Sequence, residues 1–190
     1  MRAYVDESLR VAAHGLYVLA GVVVRREQAE PLRDVLRSEL RHQRQAMYRR
    51  LEESTDRESM AKRIGALDLF AVVAVASPVD AHRPERARRF CLARMLRELE
   101  QRQVLDVLLE SRTHLDSEDR AHILGAQKAG HLTREPDAQG YAFERPNLEP
   151  LLWLPDLVAG AVSYSRAGLD QQYLEHLQHI VTVVEVDGAT

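Results

Sequence analysis

Carboxylates set against apolar runs are the residues of this 190-residue chain whose type and placement could do chemistry. Asp6 closes the apolar stretch Ala3-Tyr4-Val5 and is followed by Glu7 and Ser8. Glu110 ends the run Val104-Leu105-Asp106-Val107-Leu108-Leu109 and precedes Ser111 and Arg112. Asp156 is embedded in a third run, from Leu151-Leu152-Trp153-Leu154-Pro155 to Leu157-Val158-Ala159-Gly160-Ala161-Val162. An acid drawn out of water beside apolar side chains is costly unless it holds a cation or is otherwise paired. A metal site is therefore the first functional expectation.

Each acid also has an ordinary reading. Asp6 and Glu7 could cap a turn in solvent, and as neighbours on a strand they point to opposite faces. Glu110 could simply pair with Arg112. Asp156 follows Pro155, where a first-turn carboxylate is favoured by the helix dipole and the free N–H groups. Asp116 and Asp119 are further candidates, Asp119 reading more as a first-turn helix acid. Ser8 reads as turn chemistry rather than as a nucleophile. The eight histidines are scattered with no H-x-x-x-H or H-E-x-x-H pair, which argues against zinc hydrolysis. There is no P-loop, no Rossmann glycine pattern and no G-x-S-x-G elbow. The lone Cys91 can form neither an internal disulfide nor a cysteine zinc site, and its place in a helical periodicity predicts core packing.

The elements that must position these residues follow from periodicity. Ala3 to Asp6 reads as a short strand and His14 to Val24 as a second, joined by a short polar link that suggests an antiparallel hairpin. Glu30 to Leu40 has apolar positions at helical spacing, with Pro31 in the first turn. Arg41 to Gly65 is charged with sparse apolar residues, a helix or an arm. Leu69 to Ala76 is a continuous apolar run ended by Ser77-Pro78, the pattern of a strand covered on both faces and lying near the sheet centre. Arg83-Pro84-Glu85 opens a helix to about Arg102, and Val104 to Glu110 follows as a strand. Asp116 leads a helix toward Gly130, Tyr141-Ala142-Phe143 reads as a short strand, and a small-residue helix follows Pro155, with Ala159, Gly160 and Ala161 allowing close packing. Residues 170–190 read as a helix and then a strand or tail from Ile180 to Val186. A hairpin followed by strands alternating with helices predicts one α/β domain over residues 1–190, a mixed sheet covered by helices whose site lies at strand ends.

Composition fits that domain: 45% hydrophobic and 29% charged residues are globular values. No apolar stretch reaches the roughly 20 residues of a membrane helix, and Asp6 and Glu7 stand where a signal peptide would be apolar. The expectation is a soluble cytoplasmic protein with no membrane contact, folding alone or as a small homo-oligomer. The net charge of −3 argues against tight non-specific nucleic-acid binding, yet the charge is uneven. Arg25 to Arg102 holds 18 bases and 13 acids, and the rest of the chain is acidic. This is either an arginine-rich set of surface helices or a basic flank for a phosphate backbone beside an acidic pocket.

Four motifs in order, Y-V-D-E-S at Tyr4, L-A-G-V-V-V at Leu19, E-S-R at Glu110 and L-P-D-L-V-A-G-A-V at Leu154, together resemble a bacterial family catalogued as domain of unknown function 3800, placed in the ribonuclease H-like superfamily. The resemblance spans about Ala3 to Val162. It implies a ribonuclease H-like α/β fold and a metal-dependent nuclease site. Carried over by position, the first-strand acid falls on Asp6 with Glu7 beside it, the middle acid on Glu110 and the late acid on Asp156. A family histidine could correspond to His42, although the apolar context of a strand is missing there. Phosphodiester hydrolysis of this kind uses Mg²⁺ or Mn²⁺ held by carboxylates to activate water and stabilise the leaving oxygen. Asp6, Glu7, Glu110 and Asp156 would then be ligands, Asp6 bridging, and Arg112 would contact substrate phosphate or pair with an acid. One departure is expected: by strand count Glu110 closes a fifth strand, whereas the familiar nuclease arrangement draws its second acid from the fourth, here ending near Ser77 and Asp80. The rival reading is a non-catalytic module of the same fold that binds nucleic acid or a protein. A nucleic-acid substrate, DNA or RNA, gains support if Arg44, Arg49, Arg50 and Arg57 share a face with the acids.

Overall fold

The computed structural model describes residues 1–10, 14–41, 54–132 and 140–187. It is an α/β fold, a six-stranded mixed sheet with helices packed on both faces. The strands are β1 (Arg2–Arg10), β2 (Leu16–Val24), β3 (Phe70–Ala76), β4 (Val107–Glu110), β5 (Tyr141–Glu144) and β6 (Val181–Glu185). The helices are α1 (Arg26–Arg41), α2 (Ser54–Gly65), α3 (Pro84–Gln101), α4 (Asp116–Lys128), α5 (Trp153–Arg166) and α6 (Gln172–Leu177).

The sheet order is β5-β4-β1-β2-β3-β6. The expected hairpin is present, β1 pairing antiparallel with β2 from Arg2↔Val24 to Arg10↔Leu16. β2 is also antiparallel to β3, while β4 lies parallel to β1, β5 to β4 and β6 to β3. β2 therefore runs against the other five strands, and the C-terminal ends of those five share one edge.

Alternation along β1 and β4 sorts the core into two layers. Tyr4 and Leu108 face a layer filled by Leu32 and Leu36 of α1, Ile64 of α2, Tyr173 of α6, and Leu154, Val158 and Val162 of α5. Val5 and Leu109 face the other, built on Ala87, Cys91, Leu92, Met95 and Leu96 of α3 with Ile123 of α4. β2 is buried along its whole length, because helices cover both of its faces and strands pair with both of its edges. Gly21 permits the α3 contact: a Cβ there would stand 2.9 Å from the Met95 sulfur.

Several boundaries differ from expectation. β1 runs on to Arg10, because β2 continues to pair with it beyond Asp6. β3 lies second from the edge rather than at the centre, and its apolar run is explained by two covered faces plus β6 alongside. Pro31 sits inside α1, which begins at Arg26, so the helix forgoes one bond to the Glu27 carbonyl. α5 starts before Pro155, at Trp153, behind a 3-10 turn over Pro150–Leu152. Ala159 and Ala161 are buried in that helix, but a Cβ on Gly160 would meet nothing within 4 Å, so this glycine is not there for close packing. The C-terminal segment is a strand, β6, and not a tail. Glu110 closes the fourth strand among the described residues, and Ser77 follows the third, so the expected displacement to a fifth strand does not occur. Among the described residues no helix is long and apolar enough to cross a membrane.

Candidate functional site

β1 and β4 bring Asp6 and Glu110 side by side. Their parallel register pairs Ala3 with Val107, Tyr4 with Leu108 and Val5 with Leu109, and the next residue of each strand is the acid. Both acids fall on the face of Tyr4 and Leu108, the face that α5 covers. α5 supplies Asp156 from its first turn, and its neighbours Leu154, Pro155 and Val158 are buried against the sheet. Asp6, Glu7, Glu110 and Asp156, with Pro146, Leu152 and Trp153, line one pocket of about 220 Å³. Among the described residues no Arg, Lys or His lines it.

The electrostatics of this pocket are those of uncompensated negative charge. Burial, followed by the charges of Glu110, Asp156 and Glu7, pushes the Asp6 carboxyl up to about 9, against a lesser opposing effect from the Glu7 backbone N–H. That N–H donates to Asp6 Oδ1 at 2.7 Å. Burial also raises Glu110, helped by Asp156 and Glu7, while a side-chain hydrogen bond with Asp6 and the charge of Arg88 pull it down. Burial alone raises Asp156. A shared hydrogen bond between two carboxyls requires a proton between them. That proton does the neutralising work a cation could do instead.

A second charged cluster lies against Glu7, on the α3 side of the sheet. The Arg88 guanidinium, 2% exposed, donates through Nη1 to Glu7 Oε2 and to the Tyr17 hydroxyl, the latter at 3.1 Å. Through Nε and Nη2 it forks onto Asp119, 1% exposed, at 3.0 and 2.7 Å. Arg112 joins the same cluster, donating to Asp119 Oδ1 at 3.0 Å and to Glu85 Oε1 at 2.7 Å. Arg112 thus takes the second of its two expected roles, pairing with acids, and does not line the pocket. Asp116 is also engaged elsewhere, accepting from the Ser111 hydroxyl and the Arg112 N–H, both at 2.7 Å, which ties the loop after β4 to the start of α4.

Three contributors were missed from sequence. Glu149 caps the 3-10 turn before α5, accepting from the Leu151 N–H at 3.1 Å. Arg33 of α1 donates to both Glu149 oxygens and, at 3.1 Å, to the Tyr4 hydroxyl, fixing the base of α5 to β1 and so the position of Asp156. Glu144 closes β5 in register with Glu110, extending the row of acids across the sheet from Asp6, within β1, through Glu110 to Glu144. The acid after Tyr141-Ala142-Phe143 was the available signal for Glu144. For the Arg33 and Glu149 pair, 116 residues apart, there was none. His42, Arg44, Arg49 and Arg50 lie outside the described residues, as does the side chain of Arg57.

Among the described residues no three His, Cys, Asp or Glu side chains stand ready in a metal-holding arrangement. The donor chemistry nonetheless fits a hard divalent cation: oxygen donors only, mutually repelling, half-buried and with no basic side chain among the described lining residues. Compared with family models, with curated proteins and with solved structures, the chain finds no match in any of the three.

Proposed function

We propose that this protein is a Mg²⁺- or Mn²⁺-dependent nuclease of ribonuclease H-like fold, related to the domain of unknown function 3800 family, that hydrolyses phosphodiester bonds at the Asp6, Glu110 and Asp156 pocket. The observation that carries the reading is the convergence of three carboxylates from β1, β4 and α5 on one pocket in which no compensating base stands among the described lining residues. Support also comes from Glu110 closing the fourth strand, the strand from which the familiar nuclease arrangement draws its second acid.

Asp6, Glu110 and Asp156 would hold the cation, Asp6 being the acid on which the charges of the other two converge. Bound there, Mg²⁺ or Mn²⁺ would supply Lewis acidity to a phosphoryl oxygen and lower the pKa of water. The protein's own contribution is positional. Arg33 and Glu149 hold the base of α5, Arg88 pairs with Glu7 at the edge of the pocket, and Trp153, its indole donating to the Pro146 carbonyl at 3.3 Å, supplies part of the pocket wall. Arg112 is committed to Glu85 and Asp119, so phosphate contact by Arg112 is not part of this reading.

The test is calorimetric titration of Mn²⁺ into the wild type and into Asp6→Asn, Glu110→Gln and Asp156→Asn, followed by cleavage assays on labelled single- and double-stranded DNA and RNA. Binding in the wild type, its loss in all three variants, and metal-dependent cleavage that falls at least a thousandfold in Asp6→Asn are expected. A folded wild type that binds no Mn²⁺ would replace the nuclease with the non-catalytic binding module.

A further inference from the structure

The solvent face of α3 is a second feature that the pocket chemistry does not use. Its buried side, Ala87, Arg88, Cys91, Leu92, Met95, Leu96 and Leu99, is spent on the core. The opposite stripe reads Arg86, Arg89, Phe90, Ala93, Arg94 and Arg97, which lines a groove of about 740 Å³. Four of these six side chains are arginines and none is acidic. His122 and His131 border the groove on the α4 side, and Glu185, Val186 and Asp187 border it beyond β6.

The acids at that border do little to neutralise the stripe. Glu185 is already paired with Arg166, leaving Asp187 at one end. Arg94 pairs with Glu98 at 3.1 Å. Arg89 and Arg97 are exposed and have no ion-pair partner among the described residues. The positive field of Arg89 reaches His122, whose pKa is lowered by burial and then by that charge. Phe90, 42% exposed, stands among these arginines with the Arg86 guanidinium 5.8 Å from its ring centre. A large aromatic is left in water here where a polar residue would serve a merely solvated helix face.

We infer that this groove on α3 is a binding site for a single nucleic-acid strand, the arginines taking its phosphates and Phe90 stacking on a base. Arg89 and Arg97 are eight residues apart, about 12 Å along the helix axis at 1.5 Å per residue. That separation lets the two arginines reach different phosphates of one bound strand. Alternating cation and aromatic is the chemistry of single-strand binding, where charge tracks the backbone and stacking tolerates any base. An acidic peptide would meet the arginines equally well but would leave Phe90 without a role. The groove stands on its own charges and does not depend on the nuclease reading.

The test uses the full chain as Asp6→Asn, in chelator, so that neither cleavage nor metal contributes. Fluorescence anisotropy with a labelled 20-mer of single-stranded DNA, and with its abasic counterpart, is read as a function of salt. Arg89→Glu with Arg97→Glu should weaken binding at least tenfold and flatten the plot of log affinity against log salt by about 1.4, the loss of two single-strand phosphate contacts. Phe90→Ala should weaken binding of the DNA about tenfold with the salt slope unchanged, and leave the abasic strand unaffected. Arg89→Gln with Arg97→Gln, which adds no new charge, should give an intermediate loss with unaltered thermal unfolding. Wild-type affinity in the charge-reversal variant overturns the site. Equal binding of poly-glutamate with no effect of Phe90→Ala overturns the nucleic-acid assignment. Binding that survives here while Mn²⁺ titration of the wild type shows nothing would retain the groove and discard the nuclease.

Discussion

Asp6 and Glu7 are adjacent in sequence and meet opposite fates on the two sides of the sheet. Glu7 belongs to a cluster in which Arg88 and Arg112 answer Glu7, Asp119 and Glu85, so each buried acid there has a cation in hydrogen-bond contact. Asp6 shares with Glu110 and Asp156 a pocket that Glu7 also borders, with no base among the described lining residues, and its carboxyl is pushed up to about 9. Arg88 and Asp119 are fully buried and the pocket acids half-buried, so both clusters are drawn out of bulk water. What distinguishes them is whether each acid touches a cation, and in that sense the first cluster, two arginines to three acids, is balanced. A balanced cluster ties β1 to α3 and α4. An unbalanced one leaves demand for a cation, or for protons in its place.

The largest effect is expected from breaking the balanced side. Arg88→Met removes the cation from Asp119 and Glu7 while keeping most of the volume. Leaving buried acids uncompensated should cost about 3–5 kcal/mol, read by urea denaturation. A loss below 1 kcal/mol would show that the cluster does not hold the helices on this face.

Next comes the unbalanced side supplied with what it lacks. At a hundredfold excess over its dissociation constant, Mn²⁺ should stabilise the wild type by about 2.7 kcal/mol and leave Asp6→Asn unmoved. Equal stabilisation of both would place the cation elsewhere on the molecule.

Smaller again is the pH effect without metal. The Asp6 carboxyl is raised from an ordinary 3.8 to about 9, so its neutral form is favoured by folding. Its contribution to stability is complete below pH 3.8 and is lost as pH rises through 9. Asp6→Asn, neutral at every pH, should therefore be more stable than the wild type at pH 7 in chelator, with a flatter fall toward pH 9. Parallel stability curves for the two proteins would mean that the pocket is hydrated enough to carry its charge.

How much of this was legible in sequence depends on range. The hairpin, α3, α4 and the strand ending at Glu110 follow from local periodicity, which is why their types were read correctly. The three pocket acids were visible because each interrupts an apolar run. Nothing local in the sequence marks Arg88 out from the other arginines of its helix. Its burial depends on Asp119, 31 positions later, and on Glu7, 81 positions earlier. Arg112 was assigned two roles that local sequence cannot separate, since only the fold brings Glu85 within reach. The start of α5 was misplaced for a different reason: Pro155 is a strong local signal for a first turn, but Glu149 caps a 3-10 turn that begins the coil earlier. Capping by a distant arginine and its acid leaves no mark on periodicity.

The position of β6 also bears on solubility. β3 is seven residues of uninterrupted apolar side chains, and β6 pairs with five of them, Ala71 to Val75. β6 replaces that edge with one carrying exposed Thr182 and Glu185. Without it, β3 would offer unpaired N–H and C=O groups on a strand with no charge or proline to deter a second chain. The last strand of the sheet thus acts as a gatekeeper against self-association. A chain that stops short of it would be expected to fail first by aggregation, before any loss at the acidic pocket could be measured.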